Sequence, residues 1–420
     1  MAGQWQDRQW QDWQWQNWQW QNWQWRRSLL KSFKLIVLTI VAFWVMTLSA
    51  CALPQIKATD RLFLPLSLDF LGEYDLPQAS QFENTPVGGL SGITYDPQRD
   101  VFYAISDDRS EKAPARFYTL KIQLDPASQL SKVDVQGVTF LQQADGQPYE
   151  QQTIDSEGIS LTPQGTVWIS SEGVARDDIP PFVNEFDVKT GKLLRKLFFP
   201  DYYTPKTIED PQSKQTTRQG IQDNLGFESL TLSAGAARMG PTEPYRLFTA
   251  TESALTQDAE TPTAETRAKA RLLHYYVEAG RIDLIAEYLY ELEPAPSITI
   301  HHGLCELLSL DPAGRFLSLE RSFGLGGFKV KLFQLSFAGA KDTSLLPTVQ
   351  NLPKVVKPVQ KQALLDLSEL GIDLDNLEGM TLGPRLPDGS PSLLLVSDNN
   401  FSDNQKTQFL LFRVKGLKPQ

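Results

Sequence analysis

The chain has 420 residues, with 40 basic and 50 acidic side chains and a formal charge of −10. That length suits one large or two ordinary domains. At 41% apolar and 21% charged residues most of it is not disordered. The acidic balance excludes a general nucleic-acid binder, which needs a basic face. Two cysteines exclude a disulfide-dense scaffold and a thiolate zinc site.

Eight of the ten tryptophans lie between Trp5 and Trp25, in a near-repeat of Gln and Trp that lacks the aliphatic residues of a packed core. It reads as a low-complexity extension, with a membrane-interface tail as the functional alternative. Arg26-Arg27-Ser28-Leu29-Leu30-Lys31 is similar to a twin-arginine export signal. It leads into the uncharged run Leu35–Ala50, and a basic flank, an apolar run and small residues together make a secretory signal. Leu48-Ser49-Ala50-Cys51 resembles the bacterial lipobox, which implies lipidation of Cys51. An uncleaved anchor helix is the alternative, although 16 residues are short for a membrane span. The chain therefore divides into a leader and signal (1–50), a linker after the lipidated cysteine (51–60) and a working domain (61–420). Loss of 1–50 removes five basic and two acidic groups, so the mature charge is −13, and Cys305 is left as the only thiol besides the lipidated one.

The working domain repeats itself. GLSGITYDPQRDVFYAISDD from Gly89, DSEGISLTPQGTVWISSEG from Asp155 and FESLTLSAGAARMGPTEPYRLFTATES from Phe227 share one pattern. LCELLSLDPAGRFLSLERS from Leu304 and LEGMTLGPRLPDGSPSLLLVSDN from Leu377 complete the set. Each has an apolar strand, a Pro/Gly/Asp-rich turn, a second apolar strand and an acid. Ser91, Glu157, Glu228, Glu306 and Glu378 lead the copies, at spacings of 66, 71, 78 and 72. One or two further strand-like runs follow each hairpin, and four strands per copy repeated radially describe an all-β propeller. Five blades are expected, with six as the alternative. The last blade lacks a strand that Leu62–Leu76 can supply, closing the ring. Long polar connections fall at Gln142–Thr153, Asp201–Asp223, Ala254–Ala270 and Ala340–Pro358. Ala254–Ala270 reads as a short helix or a mobile loop.

In a propeller the start of each first strand and the end of each second lie at the same rim. That places Glu157, Glu228, Glu306 and Glu378 at one mouth, together with Asp107, Asp108, Glu172, Glu252, Glu320 and Asp398. Crowded carboxylates raise one another's pKa unless a cation neutralises them. Hard oxygen donors without thiolates point to Ca²⁺ or Mg²⁺ rather than zinc, with Ca²⁺ the expected ion. Arg109, Arg176 and Arg321 follow the second-strand acids and are candidate phosphate ligands. Glu157, Glu306 and His302 are candidate catalytic groups. The alternative for each acid is architectural, capping strands and pairing with these arginines. Cys305 reads more simply as a buried apolar residue than as a nucleophile, and Ser91 as the blade-opening position rather than an elbow serine.

SGITYDPQRDVFYAISDD, DSEGISLTPQGTVWISSEG, NLGFESLTLS and NLEGMTLG…LLLVSDNN resemble the bacterial phytase-like domain, also described as "esterase-like activity of phytase", over roughly Leu66–Val414. The resemblance implies a secreted or lipid-anchored propeller that hydrolyses phosphate or other esters, but it transfers no catalytic residues. The R-H-G-x-R-x-P motif of histidine acid phosphatases is absent. The expectation is a monomeric, lipid-anchored envelope protein that uses Ca²⁺ to hydrolyse a small-molecule ester or phosphoester and has no nucleic-acid partner. A non-catalytic envelope lipoprotein that binds a ligand or protein is the alternative.

Overall fold

Each sequence copy folds into one four-stranded antiparallel sheet in the computed structural model. The described residues are 62–417, except 210–213, 215, 262, 264 and 354, together with scattered helical positions between 15 and 41. Cys51, the residues just before it and most of the Gln/Trp leader lie outside them. The chain divides into two units, Met1–Arg61 and Leu62–Gln420. In the first, Trp15, Trp18, Trp20, Trp23 and Trp25 are helical and exposed. No helix among the described residues is long and apolar enough to cross a membrane.

The second unit is a five-bladed propeller. Its innermost strands are Leu90–Asp96, Ser156–Leu161, Phe227–Leu232, Thr299–Asp311 and Asn376–Arg385. They lie side by side in blade order, the fifth against the first. The second strands run back as Val101–Ser106, Thr166–Ser171, Tyr245–Thr251, Arg315–Gly324 and Pro391–Asp398. Gly165 and Gly314 supply the positive φ (+74° and +79°) that the TPQG and DPAG turns require. In the first blade Asp96 makes the turn itself, its Oδ1 accepting the N–H groups of Gln98 and Arg99 at 2.9 and 3.1 Å.

The outermost place of the fifth blade is taken by Ser67–Asp75, antiparallel to Gln408–Lys415. Phe70 faces Phe412 across this seam, ring centroids 5.4 Å apart. Apolar residues face neighbouring blades rather than one central core. Separate clusters fill the five interfaces: Phe102, Tyr118, Leu394 and Phe409 between first and fifth, for example, and Trp168, Phe227 and Tyr245 between second and third. Trp168 donates its indole N–H to the Tyr245 hydroxyl at 2.8 Å.

Three of the long connections, Asp201–Asp223, Ala254–Ala270 and Ala340–Pro358, are pinned to the third blade. Arg271 on strand Lys269–Glu278 is completely buried and pairs with Asp258 at 2.7 Å and Glu287 at 2.5 Å. Tyr202 and Tyr203 donate to Glu287, and Asp258 accepts the Val349 N–H at 2.7 Å. The only helical turn among the described residues of Ala254–Ala270 is the 3₁₀ turn Thr256–Asp258, where Asp258 turns inward to meet Arg271.

Candidate active site at the acidic mouth

A bulge opens every innermost strand at the same height. The register slips between Leu90 and Gly92, Ser156 and Ile159, Phe227 and Ser229, Leu304 and Glu306, and Leu377 and Gly379. The extra residue in each is Ser91, Glu157 (with Gly158), Glu228, Cys305 or Glu378. A bulge re-aims a side chain away from the pleat, here toward one mouth of the channel. Opposite the residue before each bulge stand Ser106, Ser171, Thr251, Glu320 and Ser397 on the second strands. The residues that follow them are Asp107, Glu172, Glu252, Arg321 and Asp398.

This register corrects the fourth blade by one residue. Cys305, not Glu306, takes the bulge position, and Arg321, not Glu320, takes the position of the second-strand acids. Side chains alternate along a strand, so a shift of one turns both glutamates away from the mouth. Glu306 lies in the channel wall, where the other blades carry Gly92, Gly158, Ser229 and Gly379. Its Oε1 accepts the N–H groups of Leu230 at 3.1 Å and Leu307 at 2.9 Å. Glu320 faces outward to Lys361 (2.5 Å), the Tyr290 hydroxyl (2.6 Å) and the Glu293 N–H (3.0 Å).

The mouth opens into a cavity of about 850 Å³ lined by Asp107, Asp155, Glu157, Glu228, Glu378, Asp398, Arg109 and Arg321, among others. Arg321 is its central cation. It donates to Asn376 Oδ1 at 2.5 Å and lies 3.1 Å from Glu252 and 3.3 Å from Glu378. Burial opposes its charge, but the Cys305, Glu378, Glu252 and Glu228 groups around it outweigh that and hold its pKa well up. Asn376 orients the acids beside it, donating to Glu378 at 2.9 Å and Asp398 at 3.1 Å. Arg109 pairs with Asp155 and donates to Asn224 at 2.8 Å.

Three carboxylates at this mouth are left over: Asp107, whose buried Oδ1 has no hydrogen-bond partner, Glu157 and Glu228. Glu157 and Glu228 are 8% and 6% exposed and line the cavity, with no hydrogen bond or ion pair among the described residues. Burial, then the charges of neighbouring acids, pushes both carboxyls well above their usual range. The same causes raise Glu378 to about 8, while Asp398 rises to about 6 chiefly through burial. Carboxylate oxygens of Glu172, Glu228 and Glu252 come within 4.8 Å of one another, and so do those of Asp155, Glu157 and Glu172. Both are oxygen-only groups that could hold a metal ion.

Of the sequence candidates, Asp107, Glu157, Glu172, Glu228, Glu252, Glu378, Asp398, Arg109 and Arg321 gather at this mouth. Asp108 lines it but is committed elsewhere. It pairs with the fully buried Arg116 at 2.7 Å and accepts the N–H groups of Glu111, Lys112 and Ala113. Arg176 stands outside, half exposed, with Asp223 at 3.3 Å and Gln152 at 2.9 Å. His302 donates its Nε2–H to the Glu293 carbonyl oxygen at 2.8 Å, whereas its neighbour His301 lines the cavity. Asp155 and Asn376, which head their copies in DSEG and NLEG, also line the cavity, beyond the residues that the repeat predicts for it. Phe323, Phe328 and Phe401 also line the cavity, and no repeat marks them.

The sequence profile of the phytase-like family, described as "esterase-like activity of phytase", matches residues 85–401, from the strand before the first blade to the last loop of the fifth. The chain belongs to this family. No curated protein matches it. Solved structures that resemble this phytase-like propeller include an S. cerevisiae Dbp5 complex with Nup159, Gle1, IP6 and ADP, at 10% identity over 83% of this chain and 95% of that one. Others are the Dos1 propeller (7%, 82% and 95%) and an N11 neuraminidase-like protein from a flat-faced bat virus of Peru (9%, 85% and 99%). The TM-score is 0.29 in each case, too low to carry any argument.

Proposed function

We propose that this phytase-like propeller is a Ca²⁺-assisted hydrolase of small esters or phosphoesters, exported and held at the cell envelope through a lipid on Cys51. The supporting observation is the pair of buried, unpartnered carboxylates, Glu157 and Glu228. Keeping a carboxylate ionised and buried without a partner costs several kcal/mol, roughly 3–5 when one partner of a pair is missing, and a bound cation would relieve that cost. Glu172, Glu228 and Glu252 would hold the ion, and oxygen-only donors suit Ca²⁺ better than zinc. When bound, Ca²⁺ would supply positive charge to offset these carboxylates and to polarise an ester oxygen.

Glu157, unpaired and raised in proton affinity, is the base that takes a proton from water. The water oxygen joins the phosphorus or acyl carbon. The bond to the alcohol breaks with its electron pair on the alcohol oxygen, which receives the proton back from Glu157. Arg109, partly exposed at the rim and engaged by Asp155 and Asn224 only through Nη2, would hold a phosphate with its remaining N–H groups, whereas Arg321 is engaged by Glu252, Glu378 and Asn376.

The full chain in detergent is to be assayed on aryl phosphate, aryl ester and phytate, with Ca²⁺ or with chelator. Turnover should disappear with chelator and fall by about 10²–10⁴ in Glu157→Gln. Folded protein that turns over none of these substrates overturns the reading. Cys51→Ala should leave the membrane fraction. Retention there argues for an uncleaved anchor.

A further inference from the structure

Above the acidic floor the same cavity has an aromatic wall from two blades. The fourth blade overshoots the rim: its innermost strand has 13 residues, against 6 in the second and third blades. The overshoot carries Phe323 and Phe328, ring centroids 4.6 Å apart, both lining the cavity. Phe401 faces the cavity from the loop after Asp398.

That loop is built at a conformational cost. Asn400 and Phe401 have φ of +46° and +50°, a left-handed pair that bulky residues rarely adopt. Asn399 holds it, its Oδ1 accepting the N–H groups of Gly89 at 2.9 Å and Phe401 at 3.1 Å. A Cβ on Gly89 would meet the Phe401 ring at 2.6 Å and Asp107 Oδ1 at 2.0 Å, so glycine is required for this close approach. Strain of this kind persists where it serves a site. The cavity lining carries eight carboxylates against Arg109, Lys112 and Arg321, so a single Ca²⁺ leaves it acidic.

We propose that the mouth selects esters whose organic group is apolar and of aryl size, seated against Phe401, Phe323 and Phe328, and that it disfavours polyphosphorylated polyols. An apolar ring gains from burial and from edge or offset contact with phenylalanine. A polyanion meets an acidic floor and finds few cations to bind. The turnover part rests on the hydrolase reading, but the binding part does not.

The test uses the full chain with Ca²⁺, the variants Phe401→Ala and Phe328→Ala, and matched substrates: 1-naphthyl and ethyl phosphate, and 1-naphthyl and ethyl acetate. Thermal melting confirms that each variant is folded, and the second variant serves if the first is not. Each variant should raise KM for the naphthyl member of the turned-over pair by about tenfold. KM for the ethyl member should move less than twofold. Equal effects on both members, or phytate turned over better than the naphthyl substrate, overturn the assignment. If nothing is turned over, the hydrolase reading fails, and calorimetric binding of 1-naphthyl against ethyl phosphate decides the wall. Preference for naphthyl that is lost in both variants supports it, and no preference overturns it.

Discussion

Arg321 is the one cation among five equivalent second-strand positions, and it sits against Glu252 and Glu378. Replacing it with methionine leaves two buried acids without their partner. Arg321→Met should therefore lose about 3–5 kcal/mol in urea unfolding at pH 8 with chelator, and less at pH 5, below the pKa of about 8 of Glu378, where that carboxyl is protonated. Protonation sets a second expectation. Glu378 at about 8 and Asp398 at about 6 stand above their unfolded values, so the native state binds more protons than the unfolded chain between those limits. Their contribution to stability is full below pH 4, declines as pH rises through 6, and is lost above 8. Without metal, unfolding free energy should fall from pH 5 to pH 8, and Glu378→Gln should flatten the upper part of that fall. A metal-free protein equally stable across this range would refute the assignment. The acids themselves were legible from the repeat. Glu306 and Glu320 were not, because two neighbouring glutamates read alike in a sequence and opposite in a strand.

The bulge is the element that makes the site. It sets one residue of each innermost strand toward the mouth and leaves the next against the adjacent strand. A Cβ on Gly92 would meet the Glu157 carbonyl at 2.4 Å, and one on Gly379 the Ser91 carbonyl at 3.0 Å. Gly92→Ala should force these strands apart and cost about 1–3 kcal/mol, read as a lower urea midpoint with an unchanged slope. Glu306 breaks the small-residue rule by using its length, bridging to the N–H of Leu230 in the third blade. The hairpins that carry these bulges were visible from Pro/Gly turns and apolar runs. The bulges were not, since an extra residue in a strand leaves no compositional trace.

At the scale of the molecule, stability depends on closing the ring. Ser67–Asp75 and Gln408–Lys415 come from opposite ends of the chain and form one seam. Without it the edge of Gln408–Lys415 has open backbone groups, an invitation to pair with another chain. A chain lacking residues 62–76 should melt at lower temperature and associate on size-exclusion chromatography. A monomer with an unchanged midpoint would show that the seam is dispensable. Bound Ca²⁺ would act on the whole fold by mass action, adding about 2.7 kcal/mol of stabilisation at a hundredfold excess over Kd. The melting midpoint should rise with Ca²⁺ in the full chain and not in Glu228→Gln.

The sequence by itself determined the propeller and the rim at which its acids collect, and favoured five blades over six, because each is written in local periodicity and repeated at nearly even spacing. Tertiary structure decided which acids stay there. Strand register placed Cys305 and Arg321 where Glu306 and Glu320 were expected, and one residue of shift reverses the face of every side chain. It also brought Phe323 and Phe328 of one blade and Phe401 of the next around the same cavity. Residues so far apart in the chain share no local pattern, and only closure of the ring makes them neighbours.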